Sequence, residues 1–247
     1  PPSFIEINNF YTATVYEKGA EVVRMLHTLL GEADFRLGTD CYFDRHDGQA
    51  VTTEDFVRAL EAASGRDLTQ FRRWYEQAGT PVVTASGEYV ADQKIYRLTL
   101  SQQTPATPGQ SDKAPLHMPI TLGLIGPDGQ DLDFEGAEVG LDGQSRSQVL
   151  SLTEAQQVFE IKGVAQAPLP SIARGFSAPI KLLMDYSAEE LAFLCRHDSD
   201  PFNRWEAGQR LAVLSIEAVQ SQLAKGEAPV VMPLLIEVLQ HHLDAAL

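Results

Sequence analysis

Apolar residues recur at helical spacing from Thr14 to about Gly79. Val15, Val22, Val23, Leu26, Leu29 and Leu30 fall three and four residues apart until Gly31 stops the run, the pattern of an amphipathic helix with a glycine stop. Thr14 followed by Glu17 has the spacing of a capping box, which places Tyr16 in the first turn. Phe35, Leu37, Tyr42 and Phe43 predict a second helix. Thr52 with Asp55 caps a third that carries Phe56, Leu60 and Ala63 up to Gly65. Leu68, Phe71, Trp74 and Tyr75 mark a fourth that ends at "AGTP". Four short helices in succession predict an antiparallel cluster.

From Val82 the period changes to two. "PVVTASGEYV", "KIYRLTLSQ", "MPITLGLIG", "SQVLSLT", "QQVFEIKGV" and "SAPIKLLMDY" are rich in β-branched, leucine and aromatic residues and are separated by Gly, Pro, Asp and Ser turns. They predict a β-sandwich. Thr153 and Gln156 also have capping-box spacing, but the alternation in "VFEI" makes that segment a strand. Thr104 to Pro119 is too rich in proline for a central strand and is expected to be a surface loop.

The helical period returns at Ser187, which forms a capping box with Glu190 ahead of Leu191, Phe193 and Leu194. Two further helices run through "FNRWEAGQRLAVLSIEAVQSQLAKG" and "PVVMPLLIEVLQHHLDAAL". The last reaches Leu247 without a cap, and the first residue is not methionine, so the sequence is expected to be a piece of a longer protein. The expected fold class is α+β multidomain, divided at 1–81 (helical), 82–184 (antiparallel β-sandwich) and 185–247 (all-α).

With 44% hydrophobic and 21% charged residues in 247, the chain has the composition of a folded globular protein. Its formal charge of −15 repels a phosphate backbone and an anionic lipid surface alike, so neither nucleic acid nor membrane is the expected partner. No apolar run approaches the ~20 residues that span a bilayer. Cys41 and Cys195 lie far apart in apolar stretches and read as small buried hydrophobes. Cysteine usage and the absence of a leader pattern point to a cytoplasmic setting.

Candidate chemistry is sparse. None of His27, His46, His117, His197, His241 and His242 begins a His-Glu-x-x-His pair, the spacing that sets two imidazoles on one helix face around zinc. His27 reads as a helix-face residue and the others as surface or turn residues. There is no nucleophile elbow, phosphate-binding glycine loop or paired-cysteine site. What remains is "NNFYTATVYEKGAEV", with Tyr11 and Tyr16 at a helix mouth. A phenol in a first helical turn lies near unpaired backbone N–H groups and the positive end of the dipole, and can donate to an oxyanion. Gly19, one turn on, permits close approach of a ligand or another segment. Both tyrosines can equally be half-buried packing residues.

"NNFYTATVYEKGAEVVRMLHTLLGE" and "DGQAVTTEDFVRALEAASGRDLTQFRRWYEQAGTP", with "PLHMPITLGL", "FSAPIKL" and "FLCRHDSDPFNRWEAGQRL", resemble the gluzincin aminopeptidase N family in its bacterial form. The likeness runs from Asn8 to about Leu223. It implies that 1–81 is the helical end of a thermolysin-like catalytic domain, 82–184 a complete β-sandwich, and 185–247 the beginning of a superhelical C-terminal domain. The family's zinc motif, third ligand and amine-binding stretch would then lie upstream. By motif, Tyr16 matches the donor to the scissile carbonyl, Tyr11 a wall of the pocket for the N-terminal side chain, and Asn8 lies on the same approach; Glu17 is left structural. The implied function is zinc-dependent release of N-terminal residues from peptides, by a monomeric parent in which the present chain alone is inactive and prone to self-association. The competing reading is a non-catalytic scaffold or interaction module of a degenerate homologue.

Overall fold

The protein is described from a computed structural model, which covers Ile5, Glu6, Asn8 and residues 14–246. The chain enters through a π-turn at Thr14–Lys18 and continues directly into α1 (Gly19–Leu30). Lys18, at the junction of the two, is itself in helical conformation, so the helical path is continuous from Thr14 into α1. α1 buries Val22, Met25, Leu26 and Leu30 and stops where Gly31 takes a positive φ of 80°. α2 (Glu32–His46) follows and lies against α3 (Thr53–Ser64). Gly38 is what allows this, since a Cβ there would come within 2.3 Å of the Leu60 side chain. α3 begins with the expected capping box at Thr52 and Asp55 and ends on left-handed Gly65.

The fourth helix is shorter than its apolar spacing implied. Only α4 (Arg73–Glu76) is regular, preceded by turns that bury Leu68 and Phe71. Those turns are held from α3 instead. Arg72 donates to Glu54 at 2.8 Å and in a fork to Glu61 at 2.8 and 2.7 Å, and Glu61 also accepts from the Leu68 N–H at 2.9 Å.

Among the described residues, eight strands form two four-stranded sheets. β1 (Val82–Val90), β2 (Ile95–Gln103), β6 (Gln156–Lys162) and β8 (Lys181–Leu183) pair in the order β6-β2-β1-β8. β3 (Met118–Ile125), β4 (Glu138–Val139), β5 (Arg146–Leu152) and β7 (Leu169–Ile172) pair in the order β4-β5-β3-β7. Along β2 the residues Tyr96, Leu98, Leu100 and Gln102 point inward in strict alternation. The sandwich class is as expected, with one correction: β8 runs parallel to β1, Val82 opposite Lys181.

Pro119, the last residue of the expected loop and the second of the expected strand "MPITLGLIG", lies inside central strand β3, opposite Ser151. Its missing N–H does no harm there. The Thr121 N–H, two residues on and therefore facing the same way, donates to Ser177 Oγ at 3.0 Å, and β7 pairs with β3 only from Leu122 onward. β3 is buried on nearly all positions because helix α1 lies against it. One continuous apolar core thus runs from Leu26, Leu60 and Phe71 into Leu98, Ile120 and Leu152.

After Tyr186 the chain is helical again: α5 (Ala188–His197), α6 (Pro201–Ala224) and α7 (Pro233–Ala246). Ser187 and Glu190 form the expected capping box, and Asp200 caps α6 by accepting from the Asn203 N–H with Pro201 at the first helical position. A second apolar cluster joins Leu191, Leu194, Cys195, Ala207, Leu211 and Val238. No described helix is long and apolar enough to cross a membrane.

His117 does not sit free on the surface. It is half-buried, its Nε2 is 2.6 Å from Ser151 Oγ, and its ring meets Phe71 edge-on. Burial lowers its pKa below the ordinary 6.5, against the opposing pull of Asp67. The unfolded chain therefore binds a proton before the folded one does, and stability is lost as pH falls through about 6.5. Thermal melts at pH 7.5 and 5.5 are expected to show a lower midpoint at 5.5, with a smaller difference in His117→Gln.

Candidate active-site helix mouth

Tyr16 occupies the middle of the π-turn and is 58% exposed. A π-turn is an uncommon distortion that often occurs at functional positions, and here it presents Tyr16 at the entrance to a helix whose other face is locked into the core. Asn8 is exposed, ahead of that turn. Tyr11 lies outside the described residues. Glu17 is exposed, while Lys18 turns inward: its Nζ donates to the Gly79 carbonyl at 2.8 Å and sits 5.9 Å from the centre of the Trp74 ring. Burial, followed by the neighbouring charge of Lys113, lowers the Lys18 pKa.

Two turns further along α1, Arg24 reaches across to the sandwich. Its guanidinium donates to the carbonyls of Gly175 at 2.5 Å and Phe176 at 2.7 Å, and is also paired with Glu21. Ala173, Gly175 and Phe176 all have positive φ, near 60°, 62° and 51°. This tight reversal faces three ways. Its carbonyls hold α1, the Gly175 N–H donates to Asp200 at 3.0 Å, and Phe176 packs on Phe202 of α6.

Beneath it lies a buried polar cluster. Arg174, 4% exposed, makes a bidentate pair with Asp131 at 2.7 and 2.9 Å and reaches Asp198 at 3.0 Å. Its Nε donates to Ser171 Oγ at 2.9 Å; that oxygen also accepts from Asn203 Nδ2 at 2.7 Å and donates to Asp198 at 2.5 Å. Asp131 further accepts from the Arg146 N–H and Ser199 Oγ, both at 2.8 Å. The two carboxyls respond differently. Burial would raise that of Asp131, but the Arg174 hydrogen bonds and charge outweigh it and hold the pKa below its ordinary value. Burial prevails at Asp198 and pushes its pKa up despite Arg174 and Ser171.

Gly123 makes room for this cluster, because a Cβ there would lie 1.9 Å from Arg174 Cζ. Gly123→Ala is expected to destabilise the fold by about 1–3 kcal/mol, the range for overpacking a locked site, seen as a lower urea midpoint with an unchanged m-value. Sequence reasoning missed Lys18, Arg24 and the Arg174 cluster. Their only local trace is the glycine at 123 and the Ala-Arg-Gly-Phe reversal, and their partners lie tens of residues away.

Among the described residues no group of three or more His, Cys, Asp or Glu side chains is placed to hold a metal ion.

Comparison with known proteins places these features in context. Residues 3–75 match the family described as the Peptidase family M1 domain. Residues 79–185 match a domain of unknown function with an Ig-like fold, and residues 188–247 a domain of unknown function built of ARM repeats. The chain is 46% identical over 235 residues to aminopeptidase N of Escherichia coli, covering 94% of this chain and 26% of that protein. It is 44% identical over 246 residues to aminopeptidase N of Haemophilus influenzae, covering 99% and 28%. The crystal structure of Legionella pneumophila aminopeptidase A in complex with aspartic acid superposes with a TM-score of 0.77 at 27% identity, over 95% of this chain and 25% of that one. The chain spans about a quarter of the length of the curated relatives it matches. The fold class and the resemblance read from its motifs are both borne out.

Proposed function

We propose, for a chain similar over nearly its whole length to about a quarter of an M1-family aminopeptidase N, that it is part of a zinc aminopeptidase to which it contributes the oxyanion donor, Tyr16. In this reading 1–81 closes the catalytic domain, 82–184 is the sandwich and 185–247 opens the helical domain. The observation that carries the proposal is the placement of Tyr16: exposed, on a π-turn, at the mouth of a helix whose opposite face is fixed in the core.

The chemistry follows from where charge develops. When a nucleophile adds to a scissile carbonyl, its oxygen becomes an oxyanion, and a phenol O–H aimed at that oxygen stabilises the transition state more than the ground state. Tyr16 supplies that hydrogen bond. Tyr11 and Asn8 are assigned to the approach for the substrate's N-terminal residue. The described residues provide no zinc site, so the metal, its ligands and the general base are assigned to residues upstream, and no step is routed through them here. The substrates are peptides with a free N-terminus and the setting is cytoplasmic.

Leucyl- and alanyl-anilide hydrolysis tests this. The protein that joins this chain to its upstream peptidase residues is expected to release the anilide and to lose activity on chelation, while residues 1–247 alone release none and retain no stoichiometric zinc. Absence of hydrolysis by the longer protein, or tight zinc binding by this chain, contradicts the assignment.

A further inference from the structure

Lys18 closes the π-turn two residues after Tyr16. At this junction of the π-turn and α1, Lys18 makes a tie over a long span of sequence. Its ammonium reaches the Gly79 carbonyl, where the helical part passes into β1, and lies over the Trp74 indole. Both of those partners are themselves held. Trp74 is buried and its Nε1–H donates to the His117 carbonyl at 2.8 Å. Gly79 takes a φ of 104° and is closed in by the methyl groups of Thr104 and Thr107.

The holding comes from the 104–117 loop. Lys113 Nζ donates to the Ala78 carbonyl at 2.7 Å, to Thr107 Oγ1 at 2.8 Å and to Gln110 Oε1 at 2.7 Å. Gln110 in turn accepts from the Ala78 N–H and donates to the Glu76 carbonyl, both at 2.8 Å. Gln77 pairs with the backbone of Ala114 in both directions, at 3.0 and 2.7 Å. At the loop's base the buried Gln102 does the same with Leu116, at 2.8 Å each way. A loop rich in proline, read from sequence as plain surface, is therefore tied residue by residue to the segment that receives Lys18.

We propose that Lys18 is a positioning residue for Tyr16: by holding its ammonium on the Gly79 carbonyl and the Trp74 face, it sets the π-turn, and through it the 104–117 loop of the sandwich supports the oxyanion donor. The inference rests on the assignment of Tyr16 above. Its physical content is that a donor displaced by about 1 Å from its productive position can forfeit as much as two orders of magnitude in rate, with little effect on ground-state binding.

The test is a double-mutant cycle in the protein that includes the upstream peptidase residues, read as kcat and KM for leucyl anilide. Lys18→Met is expected to lower kcat by about 10-fold or more with KM within about twofold, and Lys18→Arg to restore most of it. In a Tyr16→Phe background, Lys18→Met is expected to change kcat by less than about twofold, because there is no phenol left to aim. An unchanged kcat in Lys18→Met, or the same loss in both backgrounds, overturns the positioning role while leaving Tyr16 in place. Full activity in Tyr16→Phe alone overturns both. If Lys18→Met does not fold, Lys113→Met carries the same cycle from the loop side: a fall in kcat confined to the tyrosine background supports the proposal, and an equal fall in both backgrounds refutes it.

Discussion

Tyr16→Phe is expected to lower kcat for leucyl anilide by about 10²–10³, the effect of removing one oxyanion donor, while KM changes little. The substitution removes one oxygen from a side chain that is 58% exposed, and urea unfolding of the variant separates any loss of stability from the loss of kcat. The helix that carries the residue has several anchors besides the π-turn. Val22, Met25 and Leu26 are in the core, Arg24 holds the carbonyls of Gly175 and Phe176, and Lys18 holds that of Gly79. A loss confined to kcat means that the hydrogen bond forms with the oxyanion and not with the resting carbonyl. Equal rises in KM and no change in kcat would make Tyr16 a binding residue only.

The second large effect falls on stability. Arg174→Met is expected to cost about 3–5 kcal/mol, the range for breaking a buried ion pair from one side. It leaves Asp131 and Asp198 buried without their cation, and it takes from Ser171 Oγ the hydrogen bond of the Arg174 Nε–H. Converting each aspartate to asparagine should not cost the same. Asp131 is held in its charged form by Arg174, so Asp131→Asn removes an interaction the fold depends on; Asp198 is pushed toward its neutral form by burial, so Asp198→Asn should cost less. Urea unfolding of the three variants checks both the size and the order. Because the cluster ties β7 to the α5–α6 junction, Arg174→Met should also expose the face between the sandwich and the last three helices to proteolysis.

Much of the helical architecture could be read locally because its signals are local. The capping boxes at Thr52 and Ser187 and the glycine stops at Gly31 and Gly65 act within one turn. The alternation along β2 records a sheet with one face in the core. What escaped depends on distant partners. β7 contains Pro170 and β4 has only two residues, so neither carries a strand period of its own, and β8, expected as a strand, gave no sign that it pairs in parallel with a strand nearly a hundred positions earlier. The π-turn at Thr14–Lys18, and the reach of Lys18 to Gly79 across sixty-one positions, have no local sequence signal. Tyr16 stood out through resemblance, since a tyrosine in a first turn has the same composition whether it packs or donates. The Arg174 cluster left only the traces at Gly123 and the Ala-Arg-Gly-Phe reversal, as its members come from segments that lie far apart in sequence.

The most direct measurement compares two ligands of the protein that contains the upstream peptidase residues, each with tyrosine and with phenylalanine at position 16. One is a tetrahedral phosphinic pseudopeptide that imitates the oxyanion; the other is a slowly cleaved peptide with a planar amide. The account predicts that Tyr16→Phe weakens the phosphinate by the same factor by which it lowers kcat/KM, and leaves the planar ligand's Kd within about twofold. Equal weakening of both ligands, or of neither, would contradict a role for Tyr16 in stabilising the oxyanion.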